Sequence, residues 1–489
     1  MNAQDQPLLI GGEWKGASTG AVHEVRNAYT GEVVTRQAAA TVADAEAAVA
    51  AAADAFPEWA AAAPAVRRDL LVAAGDALQG RAEEIARVVA EETCGTIGWG
   101  MFNVSLAASM FRSAGALAYG PTGEAIASDV PGLESTSVRQ PLGVCVGIAP
   151  WNAPVILGSR AVVWALALGN TVVLKASELS PRVHGAIVRA LADAGAPAGV
   201  VNLLTNDPAD APAIVGALID HPATAHINFT GSTRVGALIA QRAAPLLKRT
   251  VLELGGKAPL VVLDDADLDA AAAAASFGAF MNAGQICMST ERIVVDRAVH
   301  EPFLERLQAR AQALTTGSPF DAGTMVGPMV SETASAHLTE LLDDARESGA
   351  RILGGGAPDG VLHRPTVVDG VTPDMRLYGE ESFGPVVAVA VAEDTDDAVR
   401  LRAVGGGVRR GRRPGARGRR PDPLGDLPRE RRDRARRGDR PVRRGQGLGL
   451  GSLRRRTGRP RVHHHALGHG LPRATPLPDL SSGSDRRFL

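Results

Sequence analysis

VCVGIAPWNAPVILGSRAVVWALALGNTVVLKASELSP, Val144 to Pro181, sets two apolar, β-rich runs on either side of a helix-like stretch of Ala, Val and Leu. Neither run alternates apolar with polar, so each reads as a strand buried on both faces. The same rhythm recurs downstream in VVNLL, HINFTG and APLVVL, each followed by a loop or a helical pattern. That is an α/β fold, with a parallel sheet wrapped by helices. In such a fold ligands bind beyond the carboxyl ends of the strands, so the residues just after each apolar run carry extra weight.

Upstream, Ala-rich amphipathic patterns predict helices over Val42–Phe56, Ala65–Leu78, Arg81–Glu92 and Phe102–Ala118. Alternating residues from Glu124 to Gln140, broken by Pro131-Gly132, predict a protruding hairpin. With 489 residues, 45% hydrophobic and 21% charged, the chain has material for two or three domains and a large core. No apolar run approaches the ~18 residues of a membrane span, and the start MNAQDQPLLIGGEW lacks the basic and apolar regions of a signal peptide. The expected location is the cytoplasm. Only three cysteines occur, without paired spacing, which excludes a disulfide framework and predicts no metal site.

One of those cysteines stands out. GAFMNAGQICMSTERIVV, Gly278 to Val295, puts Cys287 among small and polar residues after an Ala-rich stretch. It reads as a nucleophile if its thiolate is stabilised, or as a buried structural thiol. LELGGKAPLVVLDD puts Glu253 on a short apolar strand before Gly255-Gly256. There it is a catalytic base held inward, a salt-bridged structural group, or a carboxylate facing solvent from an edge strand. Asn152 follows VCVGIAPW, Lys175 closes TVVLK ahead of Ser177 and Glu178, and FTGSTRVG puts Gly231 and Ser232 at a strand-to-helix turn suited to a phosphate. Taken singly, these are equally turn residues and solvated charges.

Together, APWNAP (149–154), VLKASELSP (173–181), FTGSTRVG (229–236), LELGGKAPLVVLDDADLD (252–269), the cysteine run and EESFGPV (380–386) resemble the NAD(P)-dependent aldehyde dehydrogenase superfamily in order and spacing. The resemblance covers roughly the N-terminal four-fifths of the chain and is specific because six motifs agree. It implies a Rossmann-type cofactor domain over 1–123 and 141–253, an oligomerisation hairpin over 124–140 and an α/β catalytic domain over 254–401. Cys287 would attack an aldehyde carbonyl, Asn152 would hold the oxyanion, and Glu253 would activate the water that hydrolyses the thioester. Lys175 and Glu178 would bind the adenosine ribose, Gly231 and Ser232 the pyrophosphate, and Glu381 with Phe383 the nicotinamide riboside. Ile148, Pro150, Trp151, Ser177 and Leu254 complete the implied cofactor set. Glu178 would repel a 2′-phosphate, which favours NAD over NADP, although Lys175 offsets part of that repulsion. PWNAPVILGSRAVVWALALGN resembles the benzaldehyde, vanillin and salicylaldehyde branch, so an aromatic aldehyde is the expected small-molecule partner. Glu253 also argues against a CoA-acylating variant.

The end of the chain breaks this pattern. Residues 402–489 hold 25 Arg, no Lys and 7 Asp plus Glu, a charge of +18, which leaves −19 on residues 1–401. Rich in Arg, Gly and Pro with little apolar periodicity, this tail has a composition expected to stay disordered. A frame displaced by one base lets Pro441–Arg455 spell PFGGVKDSGWGRFGG, which resembles the family's missing C-terminus. We read the tail as frame-displaced from about codons 395–410, and the nucleotide sequence decides it. His463-His464-His465 and the Arg runs are then by-products of the displacement, not metal or specific nucleic-acid sites. The family is homo-oligomeric, and an altered tail is expected to impair assembly and activity. A catalytically impaired remnant and a polyanion-binding protein are the alternative readings.

Overall fold

The structure is a computed structural model that describes residues 4–120 and 122–403. The Arg-rich tail, its frame displacement and its polyanion reading lie outside the described residues.

Among the described residues the strands form four sheets. The largest has the order β12 (Arg249–Leu254), β11 (Thr224–Gly231), β8 (Val144–Ile148), β9 (Thr171–Lys175), β10 (Val201–Leu204), β2 (Leu8–Ile10) and β3 (Glu13–Lys15). A second has the order β13 (Pro259–Val262), β14 (Arg292–Asp296), β17 (Val386–Ala392), β16 (Thr366–Asp369) and β15 (Arg351–Gly354). A small sheet joins β1 (Gln4–Gln6), β5 (Val33–Ala38) and β4 (Val22–Arg26), and β6 (Gly123–Ile126) pairs with β7 (Ser135–Val138) as an antiparallel hairpin. The helices are α1 (Val42–Ala61), α2 (Pro64–Gly80), α3 (Ala82–Thr93), α4 (Ile97–Leu117), α5 (Pro154–Ala167), α6 (Pro181–Asp193), α7 (Ala211–Asp220), α8 (Thr233–Ala243), α9 (Leu268–Phe280), α10 (His300–Ala313), α11 (Glu332–Glu347), α12 (Arg376–Gly379) and α13 (Thr395–Ala403). None is long and apolar enough to cross a membrane.

The apolar runs become strands because both faces of the sheet are covered. Cys145, Val172 and Leu174 enter one core cluster with α2, α4, α5 and α6, whereas Val144, Val146, Ile148 and Val173 enter another with α1, α7 and α8. Consecutive residues point to opposite faces, so a strand buried twice has no polar position to alternate. In the second sheet Ile293, Val295, Val387 and Val389 face one cluster, and Val386, Ala388 and Ala390 another.

Two helix boundaries differ from the sequence reading. α1 runs past Pro57 to Ala61 and buries Trp59, whose Nε1 donates to the Leu166 carbonyl at 3.2 Å. That tertiary anchor outweighs the local break a proline introduces. α4 starts at Ile97 instead of Phe102, with Thr96 Oγ1 accepting from the Trp99 amide at 3.2 Å as an N-cap. Gly98 and Gly100 conceal that first turn in the sequence. Gly100 is needed for packing: a Cβ there would lie 2.5 Å from Ala86 Cα on α3.

Candidate active site

From β8 the chain proceeds to β9 and β10 on one side, then returns to place β11 and β12 on the other. The crevice between the carboxyl ends of β8 and β11 is therefore the topological switch point where an α/β sheet binds ligands. A cavity of about 240 Å³ opens there, walled by Pro150, Trp151 and Asn152 after β8 and by Thr230, Gly231 and Ser232 from β11 onward. Glu253, Leu254 and Gly255 from the end of β12, Cys287, and Glu381 with Phe383 close it. Ten of the fourteen residues singled out in the sequence thus line one cavity.

Asn152 is buried and held from behind. Its backbone carbonyl accepts from Trp99 Nε1 on α4 and from Asn282 Nδ2, each at 3.0 Å. Asn282 reaches it from a turn in which Asn282 (φ 49°), Ala283 (φ 53°) and Gly284 (φ 69°) are all left-handed. Such backbone costs about 1–3 kcal/mol per strained non-glycine residue and persists where surrounding contacts dictate it. Here a Cβ at Gly284 would lie 2.0 Å from the Gly384 carbonyl oxygen, and Ser289 Oγ donates to the Gly284 carbonyl at 3.0 Å. The turn follows α9 and delivers Cys287 to the cavity three residues later.

Cys94 and Cys145 are buried, and burial pushes the Cys145 thiol up to about 12. Those two are the structural thiols. Cys287 is half-buried. Burial raises its thiol above the ordinary value, Arg160 opposes the shift, Glu253 and Glu381 add to it, and its own backbone amide opposes it.

Glu253 takes the third of its possible placements. It is exposed on β12, the edge strand of the large sheet, and donor groups of the described residues leave its carboxylate unbonded. Inward burial as expected of a base does not occur, because the apolar flanks Leu252 and Leu254 turn to the core while residue 253 alternates outward. It nonetheless borders the cavity that holds Cys287.

The far wall is fixed by a buried ion pair. Lys257 Nζ donates to Glu291 Oε2 at 2.7 Å, and Glu291 also accepts from the Ser382 amide at 3.1 Å, the Ser382 hydroxyl and the Phe383 amide at 3.0 Å. This clamp sets the loop that presents Glu381 and Phe383. Phe383, left-handed at φ 44°, meets Trp151 edge-on with ring centroids 5.7 Å apart. Glu381 accepts from the Gly256 amide at 3.3 Å, and a Cβ on Gly255 would lie 2.2 Å from its carboxylate. Burial raises the Glu381 carboxyl above its usual range.

Four expected residues lie outside this cavity. Ile148 is core on β8. Lys175, in register with it at the end of β9, is ion-paired to Glu178, which also accepts from Asn206 Nδ2 at 3.2 Å. The Ser177 amide donates to His184 Nδ1 at 3.1 Å. Ser232, which is in the cavity wall, also caps α8, its Oγ accepting from the Val235 amide at 3.3 Å.

The sequence reading missed Thr230, Arg160, Trp99, Asn282, Lys257 and Glu291. Lys257 sits within the quoted LELGGK motif and Thr230 within FTGS, so a signal was present. Trp99 and Asn282 act through backbone contacts more than 50 residues from their partner and left none. Also missed is a second cleft, about 510 Å³, between α7 and α8, walled by Pro212, Val215, Val235 and Leu238. No group of His, Cys, Asp and Glu among the described residues is arranged to hold a metal.

The sequence profile of the Aldehyde dehydrogenase family matches residues 14–402. The chain is 52% identical over 397 residues to a vanillin dehydrogenase of Pseudomonas fluorescens, covering 81% of this chain and 82% of that one. It is 43% identical over 395 residues to a salicylaldehyde dehydrogenase of Pseudomonas putida, with 81% and 82% covered. Among solved structures it superposes on salicylaldehyde dehydrogenase from Pseudomonas putida G7 complexed with salicylaldehyde, with a TM-score of 0.80, 41% identity and 82% and 83% of the two chains covered. An NAD-dependent benzaldehyde dehydrogenase from Corynebacterium glutamicum gives a TM-score of 0.79 at 36% identity, covering 82% and 86%. With its motifs, its two larger sheets and its cavity at the switch point all in agreement, the chain belongs to the aldehyde dehydrogenase family.

Proposed function

We propose that this protein oxidises an aromatic aldehyde to the carboxylic acid, with NAD as the electron acceptor. The observation that carries the reading is that a half-buried thiol, a clamped asparagine and a carboxylate, Cys287, Asn152 and Glu253, border one cavity at the switch point. The Cys287 thiolate adds to the carbonyl carbon, and the developing oxyanion takes hydrogen bonds from the Asn152 side-chain amide and the Cys287 backbone amide. Glu253 then takes a proton from the water that attacks the thioester, releasing the acid and the thiol. The chemistry a nicotinamide dinucleotide supplies when bound is acceptance of the two electrons released between those steps.

The residues present suit that cofactor. The largely apolar cleft between α7 and α8, with Val215, Val235 and Leu238 in its walls, suits an adenine, and the N-terminus of α8, capped by Ser232, offers positive dipole to a pyrophosphate. Glu178 at the end of β9 suits ribose hydroxyls and disfavours a 2′-phosphate. The aromatic branch is favoured by the vanillin, salicylaldehyde and benzaldehyde dehydrogenases to which the chain is similar. The hairpin exposes Ile126, Val130, Leu133 and Val138, an apolar set suited to a second copy of the chain.

Steady-state NADH formation with benzaldehyde, vanillin, salicylaldehyde and succinic semialdehyde tests the reading. Cys287→Ser is expected to abolish turnover, and Glu253→Gln to retain a first burst of NADH while an acyl-enzyme accumulates. Turnover that survives Cys287→Ser refutes it.

A further inference from the structure

Arg160 lies on α5, two turns beyond Asn152, and is half-buried against the sheet. Its Nη2 donates to Thr230 Oγ1 at 3.1 Å, and Thr230 is part of the wall of the cavity that holds Cys287. No carboxylate pairs with it among the described residues, and Thr230 takes one of its five N–H donors. Burying a charge is costly unless its donors are satisfied; half-buried Arg67 and buried Arg292, which also lack a carboxylate, donate to two and three backbone carbonyls, whereas Arg160 has the one hydroxyl. Elsewhere in this chain the half-buried Arg182 is paired with Glu91. Thr230 thus fixes a cation behind the wall of the cavity that Cys287 lines, and the thiol is the cavity group that must gain negative charge to act as a nucleophile.

We propose that Arg160 is a positioning residue whose fixed charge, tethered by Thr230 behind the cavity wall, makes ionisation of the Cys287 sulfur less costly without bonding to it. The inference rests on Cys287 being the nucleophile. On ionisation the thiol proton leaves to solvent, and the guanidinium supplies a positive charge behind the cavity wall. Three charged groups act on that sulfur: Arg160 from α5 favours the anion, and Glu253 from β12 and Glu381 from the loop before β17 oppose it. Without Arg160 the thiol would face two carboxylates with no cation to offset them.

The test is the pH dependence of Cys287 alkylation by iodoacetamide, followed residue by residue by mass spectrometry on the full chain. Cys94 and Cys145 are buried, so their labelling reports loss of fold within the same experiment. Replacing the charge in Arg160→Gln or Arg160→Met is expected to raise the midpoint of Cys287 labelling by about one pH unit, which is about a tenfold slower reaction at pH 7. Arg160→Lys keeps a cation and is expected to keep most of the wild-type midpoint. Midpoints in either neutral variant equal to wild type overturn the proposal. So does an equal rise in Arg160→Lys, since packing and not charge would then be responsible. A failure of the parent reading looks different: benzaldehyde added before labelling would fail to protect Cys287 in the wild-type chain, whatever Arg160 does.

Discussion

Glu291 and Lys257 are both buried, yet the two halves of their ion pair are expected to be unequal when removed. Glu291→Leu leaves the Lys257 ammonium with a single contact, Ser382 Oγ at 3.3 Å, and strips an acceptor from the Ser382 and Phe383 amides. Stranding a buried charge costs about 3–5 kcal/mol. Lys257→Met leaves Glu291 with three remaining donors, two amides and the Ser382 hydroxyl, so its loss is nearer the ~1–3 kcal/mol of hydrogen bonds to a charged group. The double variant has no buried charge and two unpaired amides, and is expected to cost less than the sum of the singles. Urea denaturation of all four chains measures this as shifts in midpoint at constant slope. If Lys257→Met destabilises as much as Glu291→Leu, or if the double variant is additive, the carboxylate is not the hub of the loop that carries Glu381 and Phe383.

Further outcomes follow from single positions. Gly100→Ala is expected to lower stability, since a Cβ 2.5 Å from Ala86 Cα brings overpacking of about 1–3 kcal/mol against a helix-propensity gain of about 1, whereas Gly98→Ala, whose Cβ meets only Thr96 Oγ1 at 4.0 Å, is expected to gain up to about 1 kcal/mol; thermal melts giving both the same sign would refute the α3–α4 packing. Burial, aided by Lys175, lowers the His184 imidazole to about 3. The neutral ring therefore contributes stability that is complete above pH 6.5 and is lost as pH falls towards 3, so replacing His184 with Gln should flatten the acid limb of a stability–pH profile. If two copies of the chain meet through the hairpin as proposed, paired replacement of Ile126 and Val138 by Thr is expected to lower the mass in light scattering, and an unchanged mass would remove the hairpin from assembly.

The fold was legible because its strands are doubly buried. Val146 and Val173 need to be apolar for one core, and Cys145 and Leu174 for the other, so the sequence carries an unbroken signal at each strand. The site was legible as motifs because the cavity collects residues just past strand ends, where loop chemistry departs from core chemistry. What stayed hidden is the support. Asn282 holds the Asn152 carbonyl across 130 residues, and no local pattern distinguishes an asparagine in a strained turn from one in an ordinary loop. Arg160 lies in the quoted Val144–Pro181 stretch, but a lone Arg on an apolar helix reads as a snorkelling surface charge until the structure shows its missing counter-ion.

Glu253 connects the site to the anomalous tail. A base that must draw a proton from one water works best where bulk solvent is excluded, yet the Glu253 carboxylate is exposed and Met288, next to Cys287, is 81% exposed. β12 and β13, the strands on either side of Gly255-Gly256, are both sheet edges among the described residues, with Val251 and Val261 exposed. Among the described residues, open edges and an open carboxylate occur together. If the tail is frame-displaced and the proposed roles of Glu253 and Cys287 hold, a chain with the frame restored is expected to slow hydrogen exchange at β13 and to raise the rate of thioester hydrolysis more than the rate of Cys287 acylation. If restoration speeds acylation alone, the exposure of Glu253 is a native feature of the water path and owes nothing to the tail.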